Sequence, residues 1–192
     1  SDHACHFKTR NAEYKRSGHE SSVRVPTAFS GPGFEMGGRR QEVMSLVDLV
    51  PTLLDASGIE PPEVMPGRSL MPRLRGTGGD WENAAFIQIS ESQVGRAIRT
   101  KRWKYCVVAH DKDGGTDSGS DTYTEDYLYD LQSDPYELQN LIEYQSHGPV
   151  CDNLKAQLIA EMNKAGEKTP TIIQKERNEI GQRKLFEYEI SD

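Results

Sequence analysis

Between residues 86 and 131 four short runs of strand-forming side chains follow one another at hairpin distance, and no other feature restricts the fold as strongly. Phe86-Ile87-Gln88-Ile89-Ser90 and residues 95–100, 103–108 and 127–131 each combine β-branched or aromatic residues with short flanking turns. Thr100-Lys101-Arg102-Trp103 leaves room only for a tight turn between the second run and the third. Strands joined so closely pair antiparallel, because a parallel neighbour needs a crossover of about a dozen residues. Further on, Leu154, Leu158, Ile159 and Met162 form the apolar stripe of a helix able to cover one face of such a sheet. The pattern predicts a four-stranded antiparallel sheet with a C-terminal helix, a small α+β subdomain at the end of an α/β chain.

The first half is less regular. Residues 4–18 lack apolar periodicity and read as a polar loop, residues 19–23 as one helical turn, and residues 25–30 as a short strand starting at Pro26. Gly31-Pro32-Gly33 is a turn. From Val43 to Ala56 the apolar residues follow a helical period, with Ser45 and Asp48 spaced as an N-terminal cap and Gly58 as the stop. Pro51 requires a kink or a start nearer Asp48. Pro61-Pro62 and Pro66-Gly67 make an extended connector, and Gly76 to Gly79 places a boundary near Trp81. The expected division is therefore 1–80, 81–165 and a polar tail, 166–192, forming a loose helix or no fixed structure.

Composition narrows the class. A chain of 192 residues supports one well-buried domain or two small ones. Its 35% hydrophobic and 28% charged residues are ordinary for a water-soluble fold, and no run approaches the roughly 18 apolar residues of a membrane span. A net charge of −7 argues against a nucleic-acid partner, which calls for a basic face. Cys5, Cys106 and Cys151 are odd in number and far apart, and are expected to be free thiols. Asp111-Lys112-Asp113-Gly114-Gly115-Thr116-Asp117 is acidic, but its glycine and distal acid are misplaced for a calcium loop. It reads as an insertion.

Chemistry concentrates in the first 26 residues. Three of the five histidines, His3, His6 and His19, lie there with Lys8, Arg10, Lys15, Arg16 and Arg24. Imidazoles and cations beside Asp2 suit the joint binding of a metal and an oxyanion, and equally suit a solvated basic loop.

The wording of the stretch decides between these. Ser1-Asp2-His3, Lys15 and His19-Glu20-Ser21-Ser22-Val23-Arg24-Val25-Pro26 resemble the second signature of the sulfatases in the alkaline-phosphatase superfamily. The steps of thirteen from Asp2 to Lys15 and nine from Lys15 to Arg24 match that pattern without a gap. The resemblance continues through Ser30-Gly31-Pro32-Gly33-Phe34, Gly67-Arg68-Ser69-Leu70, Arg99 to Tyr105, Leu128-Tyr129-Asp130-Leu131 and Asp134-Pro135-Tyr136-Glu137, covering roughly residues 1 to 142. It implies the end of a large mixed sulfatase-type sheet in residues 1–80, followed by the antiparallel subdomain.

The resemblance also implies roles. Asp2 and His3 would be metal ligands, for a divalent cation, calcium in this family. Lys15 would bind the sulfate and act in catalysis. His19, at the mouth of the site, would donate to the substrate or act as general acid. His6 has no family counterpart but lies in the same loop and is a candidate substrate contact, and Ser90 to Gln93 and Arg96 are candidates for the rim. Ala4 stands where the family has Gly, and Arg10-Asn11 where many relatives have His-Gly. Arg24 is expected to pair with Glu20. The family nucleophile is a formylglycine made from Cys or Ser in a Cys/Ser-x-Pro/Ala-x-Arg motif, which none of the three cysteines fits. The chain is therefore expected to be the C-terminal part of a longer hydrolase of small-molecule or carbohydrate sulfate esters, inactive alone. A phosphonate monoester or phosphodiester hydrolase of the same superfamily, or a non-catalytic interaction module, are the alternatives. Compartment and oligomeric state are left open.

Overall fold

The computed structural model describes residues 1–35, 37–179 and 184–190. They divide into two compact units, Ser1–Asp2 with Pro26–Ala85, and His3–Val25 with Phe86–Asp192.

In the smaller unit a short 3-10 turn, Leu46–Asp48, leads into a helix at Leu49–Ala56. With α1 assigned to Glu20–Val23, this helix is α2, and Met71–Leu74 is α3. The helical pattern that began at Val43 starts only at Leu49, which puts Pro51 in the first turn, where its missing N–H is harmless. Asp48 sets that start. Its Oδ2 accepts from the Ser45 amide (2.9 Å) and its Oδ1 from the Arg68 amide (2.8 Å). Thr52 Oγ1 donates to the Asp48 carbonyl (2.6 Å) and accepts from the Leu70 amide (3.0 Å). A Cβ on Gly67 would run into the Val47 carbonyl, so the connector passes this close only as glycine. Gly58, at φ +75°, closes α2 in the left-handed region. The outer face of the 3-10 turn and α2 is apolar and half-exposed, at Val47, Val50 and Leu53.

The larger unit carries a five-stranded sheet in the order β1 (Ala84–Ile89), β2 (Val94–Thr100), β3 (Trp103–Ala109), β4 (Thr122–Asp130) and β5 (Thr171–Ile173). β2, β3 and β4 pair antiparallel, with Ala97 opposite Cys106 and Cys106 opposite Tyr127. The ladder shifts register between Cys106, opposite Tyr127, and Val107, opposite Glu125, so the extra residue, Asp126, lies in β4. Ala97, Cys106, Val108, Tyr127, Tyr129 and Leu131 form one buried cluster against Ile87. α4 (Gly148–Lys164) buries Val150, Cys151, Leu154, Leu158 and Met162, and packs on β2 and β3. Each such side chain contributes about 1.5–3 kcal/mol through removal from water.

The mixed α/β class and the helix-backed sheet are those the sequence predicts, with two differences. The sheet has a fifth strand, β5, parallel to β4 through Tyr123 opposite Ile172. It comes from the expected polar tail. What holds that segment is polar: Glu125, fully buried, accepts from Tyr105 Oη (3.1 Å), the Lys175 amide (3.1 Å) and Arg177 Nη2 (3.0 and 3.2 Å). α5 (Glu187–Ile190) is held likewise, by Arg102 Nη2 on Glu189 (3.2 Å) and Trp103 Nε1 on the Glu189 carbonyl (2.8 Å). An apolar pattern carries no trace of such clasps. Second, no strand lies before Ala84 among the described residues, so residues 25–30 are not a strand here. An extended segment becomes a strand only when a partner supplies the ladder bonds.

Candidate functional site: the lysine loop

Lys15 lies on a loop closed at its base by the Ala4 amide on the Ser22 carbonyl (2.9 Å) and above it by the His6 amide on the Tyr14 carbonyl (2.9 Å). Phe7 (φ +51°), Lys8 (+62°) and Arg16 (+67°) adopt left-handed conformations that turn the chain back. Ala4 is not among the positive-φ residues, so its Cβ in place of the family glycine causes no strain there.

His3 is half-buried. Its Nδ1 donates to the Ala4 carbonyl (2.7 Å), which orients the ring. The His3 ring lies 6.0 Å from the Tyr14 ring, and the Lys15 ammonium lies 5.6 Å from the centre of that same ring. Tyr14 is thus shared by the imidazole and the ammonium, the latter within cation–π range. Asp2 is exposed.

His6 and His19, the candidate substrate contact and general acid, both lie against protein groups. His6 is buried, and its Nε2 donates to the carbonyl of Lys15 (3.0 Å). It holds the backbone of the lysine residue and presents no face to a substrate. His19 packs on Tyr127 (centroids 4.6 Å apart) and Tyr129 (5.7 Å), with Nδ1 on Ser17 Oγ (3.2 Å). Burial, then the charges of Arg10, Lys104 and His6, push its pKa down to about 3. At neutral pH the ring has no imidazolium proton to give. Arg96 is likewise turned inward, donating to Glu167 (2.7 Å) and to the carbonyls of Gly95 (2.8 Å) and Ser118 (2.7 Å). Its long polar side chain reads as surface in a sequence, but here it ties two loops to β2.

Below the loop is a buried ion network that sequence reasoning missed. Lys104 of β3, with no exposed surface, reaches Glu20 (2.7 Å) and Glu137 (2.8 Å). Glu20 also takes Arg99 (3.4 Å), so the expected Arg24 partner is replaced by two cations from the sheet. Burial alone would raise the Glu20 carboxyl, but Lys104 and Arg99 outweigh it and hold the group below its usual range. In the 111–121 segment the acids serve their own turn: Asp113 accepts the Gly115 amide (2.7 Å) and Asp117 the Asp113 amide (3.0 Å). All three cysteines are free, and burial raises Cys106 and Cys151 to about 12.

Among the described residues no three His, Cys, Asp or Glu side chains gather as a metal site. A hard divalent cation takes about six to eight donors. A carboxylate and an imidazole, as Asp2 and His3 carry, are donor types that such an ion accepts, but two donors are not a complete set.

The comparisons with known proteins agree on one family. The family model described as N-sulphoglucosamine sulphohydrolase, C-terminal, matches residues 12–164. Human arylsulfatase K is 32% identical over 151 residues, covering 73% of this chain and 26% of the relative. The choline-sulfatase of Rhizobium meliloti (strain 1021) is 34% identical over 155 residues, covering 78% and 27%. A protein solved in complex with its substrate D-glucosamine-2-N,6-O-disulfate superposes with a TM-score of 0.62 at 25% identity, over 81% of this chain and 31% of that one. The chain has the fold of a sulfatase C-terminal portion. It belongs to the N-sulphoglucosamine sulphohydrolase C-terminal family, and it spans about a quarter of the length of the curated relatives it matches.

Proposed function

We propose that this chain is the C-terminal part of a sulfate-ester hydrolase and that Lys15 is its sulfate-binding group. The observation that carries the reading is the placement of the Lys15 ammonium and the His3 imidazole against one ring, Tyr14, on a loop closed by hydrogen bonds. An ammonium held there meets the negative oxygens of a sulfuryl group, and it binds them more strongly as charge moves onto them during cleavage. His6 fixes the carbonyl of Lys15 from inside the loop, which limits where that ammonium reaches. Asp2 and His3 would hold a divalent cation, calcium in this reading, which supplies Lewis-acid chemistry to the same oxygens. The formylglycine nucleophile and the other metal carboxylates come from outside these 192 residues, so the chain alone has no turnover. The substrate class is a sulfated carbohydrate or a small sulfate ester, in line with the disulfated glucosamine and the choline sulfate in the names of its relatives.

The test is a longer protein that contains this chain, assayed with a glucosamine sulfate, choline sulfate and an aryl sulfate. Lys15→Ala is expected to lower kcat/KM on the preferred ester by about 100-fold or more, the effect of losing one charge-stabilising donor. Turnover of a phosphonate monoester or phosphodiester in preference to every sulfate ester would overturn the reading. So would a Lys15→Ala variant with unchanged kinetics.

A further inference from the structure

The Asp134-Pro135-Tyr136-Glu137 turn has no part in the chemistry above, yet the lysine loop is fastened to it twice. Arg10 donates to the carbonyls of Tyr136 (2.5 Å) and Glu137 (2.9 Å). The Glu20 amide donates to Glu137 Oε2 (2.9 Å), while Oε1 of the same carboxylate takes the Lys104 ammonium from β3 (2.8 Å). Arg10 and Glu20 stand five residues before and five residues after Lys15. The turn therefore grips the loop at equal distances on either side of the lysine, and Lys104 ties that grip to the sheet.

We propose that Glu137 is a positioning residue for Lys15, the turn acting as a two-point clasp that fixes the lysine loop on the sheet; this rests on Lys15 being the sulfate-binding group. The residue is built for the task. Glu137 is buried and sits at φ +56°, a left-handed conformation that side chains avoid unless surroundings impose it. In that conformation its carbonyl faces Arg10 while its carboxylate faces Glu20 and Lys104. Burying Lys104 alone would need only a counter-ion, and Glu20 already supplies one. The second carboxylate and the two carbonyls that Arg10 grips are accounted for by the loop. Displacing a reacting group by about 1 Å lowers a rate by as much as about 100-fold, so a loop that carries a catalytic cation gains from being pinned on both sides.

Hydrogen exchange read by mass spectrometry on the full 192-residue chain tests the clasp without any turnover. Glu137→Ala and, separately, Arg10→Ala are expected to speed exchange of the bonded loop amides, such as His6, Thr9 and Ser22, by about tenfold. Exchange in β2, β3 and β4 should change far less. Glu137→Gln keeps an oxygen for the Glu20 amide and leaves Lys104 with Glu20, so it should restore most of the protection. Unchanged loop exchange in both alanine variants would overturn the clasp. So would a glutamine variant no better than alanine, or equal acceleration in loop and sheet, which marks a general stabiliser. If Glu137→Ala does not fold, Arg10→Ala decides, since it leaves the buried Lys104–Glu137 pair in place. A Lys15→Ala variant with unchanged sulfate-ester turnover would remove the role of Lys15 while leaving the exchange result standing.

Discussion

In residues 26–85 the apolar side chains Val43, Leu70 and Met71 are buried beside two polar ones, Asp48 and Thr52, and the polar pair is fixed by hydrogen bonds to named amides and carbonyls. In the sheet unit, Ile98, Trp103, Tyr105, Leu128, Leu154 and Leu158 are withdrawn from water almost completely, and ion pairs sit inside that apolar mass. The difference is one of distribution. Burial spreads stability over many non-directional contacts, so the sheet unit absorbs small changes until a large void is opened. Directed bonds concentrate it, so the smaller unit depends on a few oxygens, each worth about 1 kcal/mol while satisfied and more when its partner is left bare.

The largest break is expected in the sheet. Leu128→Ala opens a cavity at a fully buried position and should lower unfolding free energy by about 2–5 kcal/mol in urea titration. A loss under about 1 kcal/mol would mean that the sheet core collapses around voids, against the contrast drawn here. Next comes Asp48→Ala, which strips the acceptor from the Ser45 and Arg68 amides and should cost about 1–3 kcal/mol. Its signature is faster hydrogen exchange confined to residues 45–70; acceleration spreading through β2–β4 would show that the two regions do not respond separately.

The smallest effect separates the regions by acid. His19, in the sheet unit, titrates near 3 when folded and near 6.5 when free. Between those values the unfolded chain binds a proton that the folded chain refuses, so stability is fully present above 6.5 and declines as the pH falls toward 3. The slope is at most about 1.4 kcal/mol per pH unit, reduced because part of the ring meets water. Glu20, held below its usual range, adds the same sign at lower pH. Melting temperature followed from pH 7 to 4 should fall less steeply in His19→Gln, and an unaltered slope would assign the acid sensitivity to other groups.

What could be read from the residues follows the same line. β-branched and aromatic runs mark β2, β3 and the end of β4, and the Leu154–Leu158–Met162 stripe marks α4, because burial there is apolar and periodic. β5 and α5 left no such mark. They are docked by Glu125 and Arg177, and by Arg102 and Glu189, residue types that look like solvated surface. The same blindness affected the site. His6 and His19 are chemically suited to catalysis, but nothing in their spacing says that one faces the Lys15 carbonyl and the other two tyrosines. Glu137 lay inside a motif that was visible, while the reach of its carboxylate to a helix turn more than a hundred residues earlier was not.

The short β5 has a consequence for how the chain behaves among other chains. It shields β4 only at Thr122 to Thr124, and Leu128 farther along is capped by Asn140 Oδ1 (3.0 Å) and the Leu141 amide (2.8 Å). Together these patches occupy the outer rim of the longest strand, which would otherwise offer a bare template to foreign strands. A chain ended at residue 165 would bare the β5 part of that rim, and light scattering during heating should then rise before the melt.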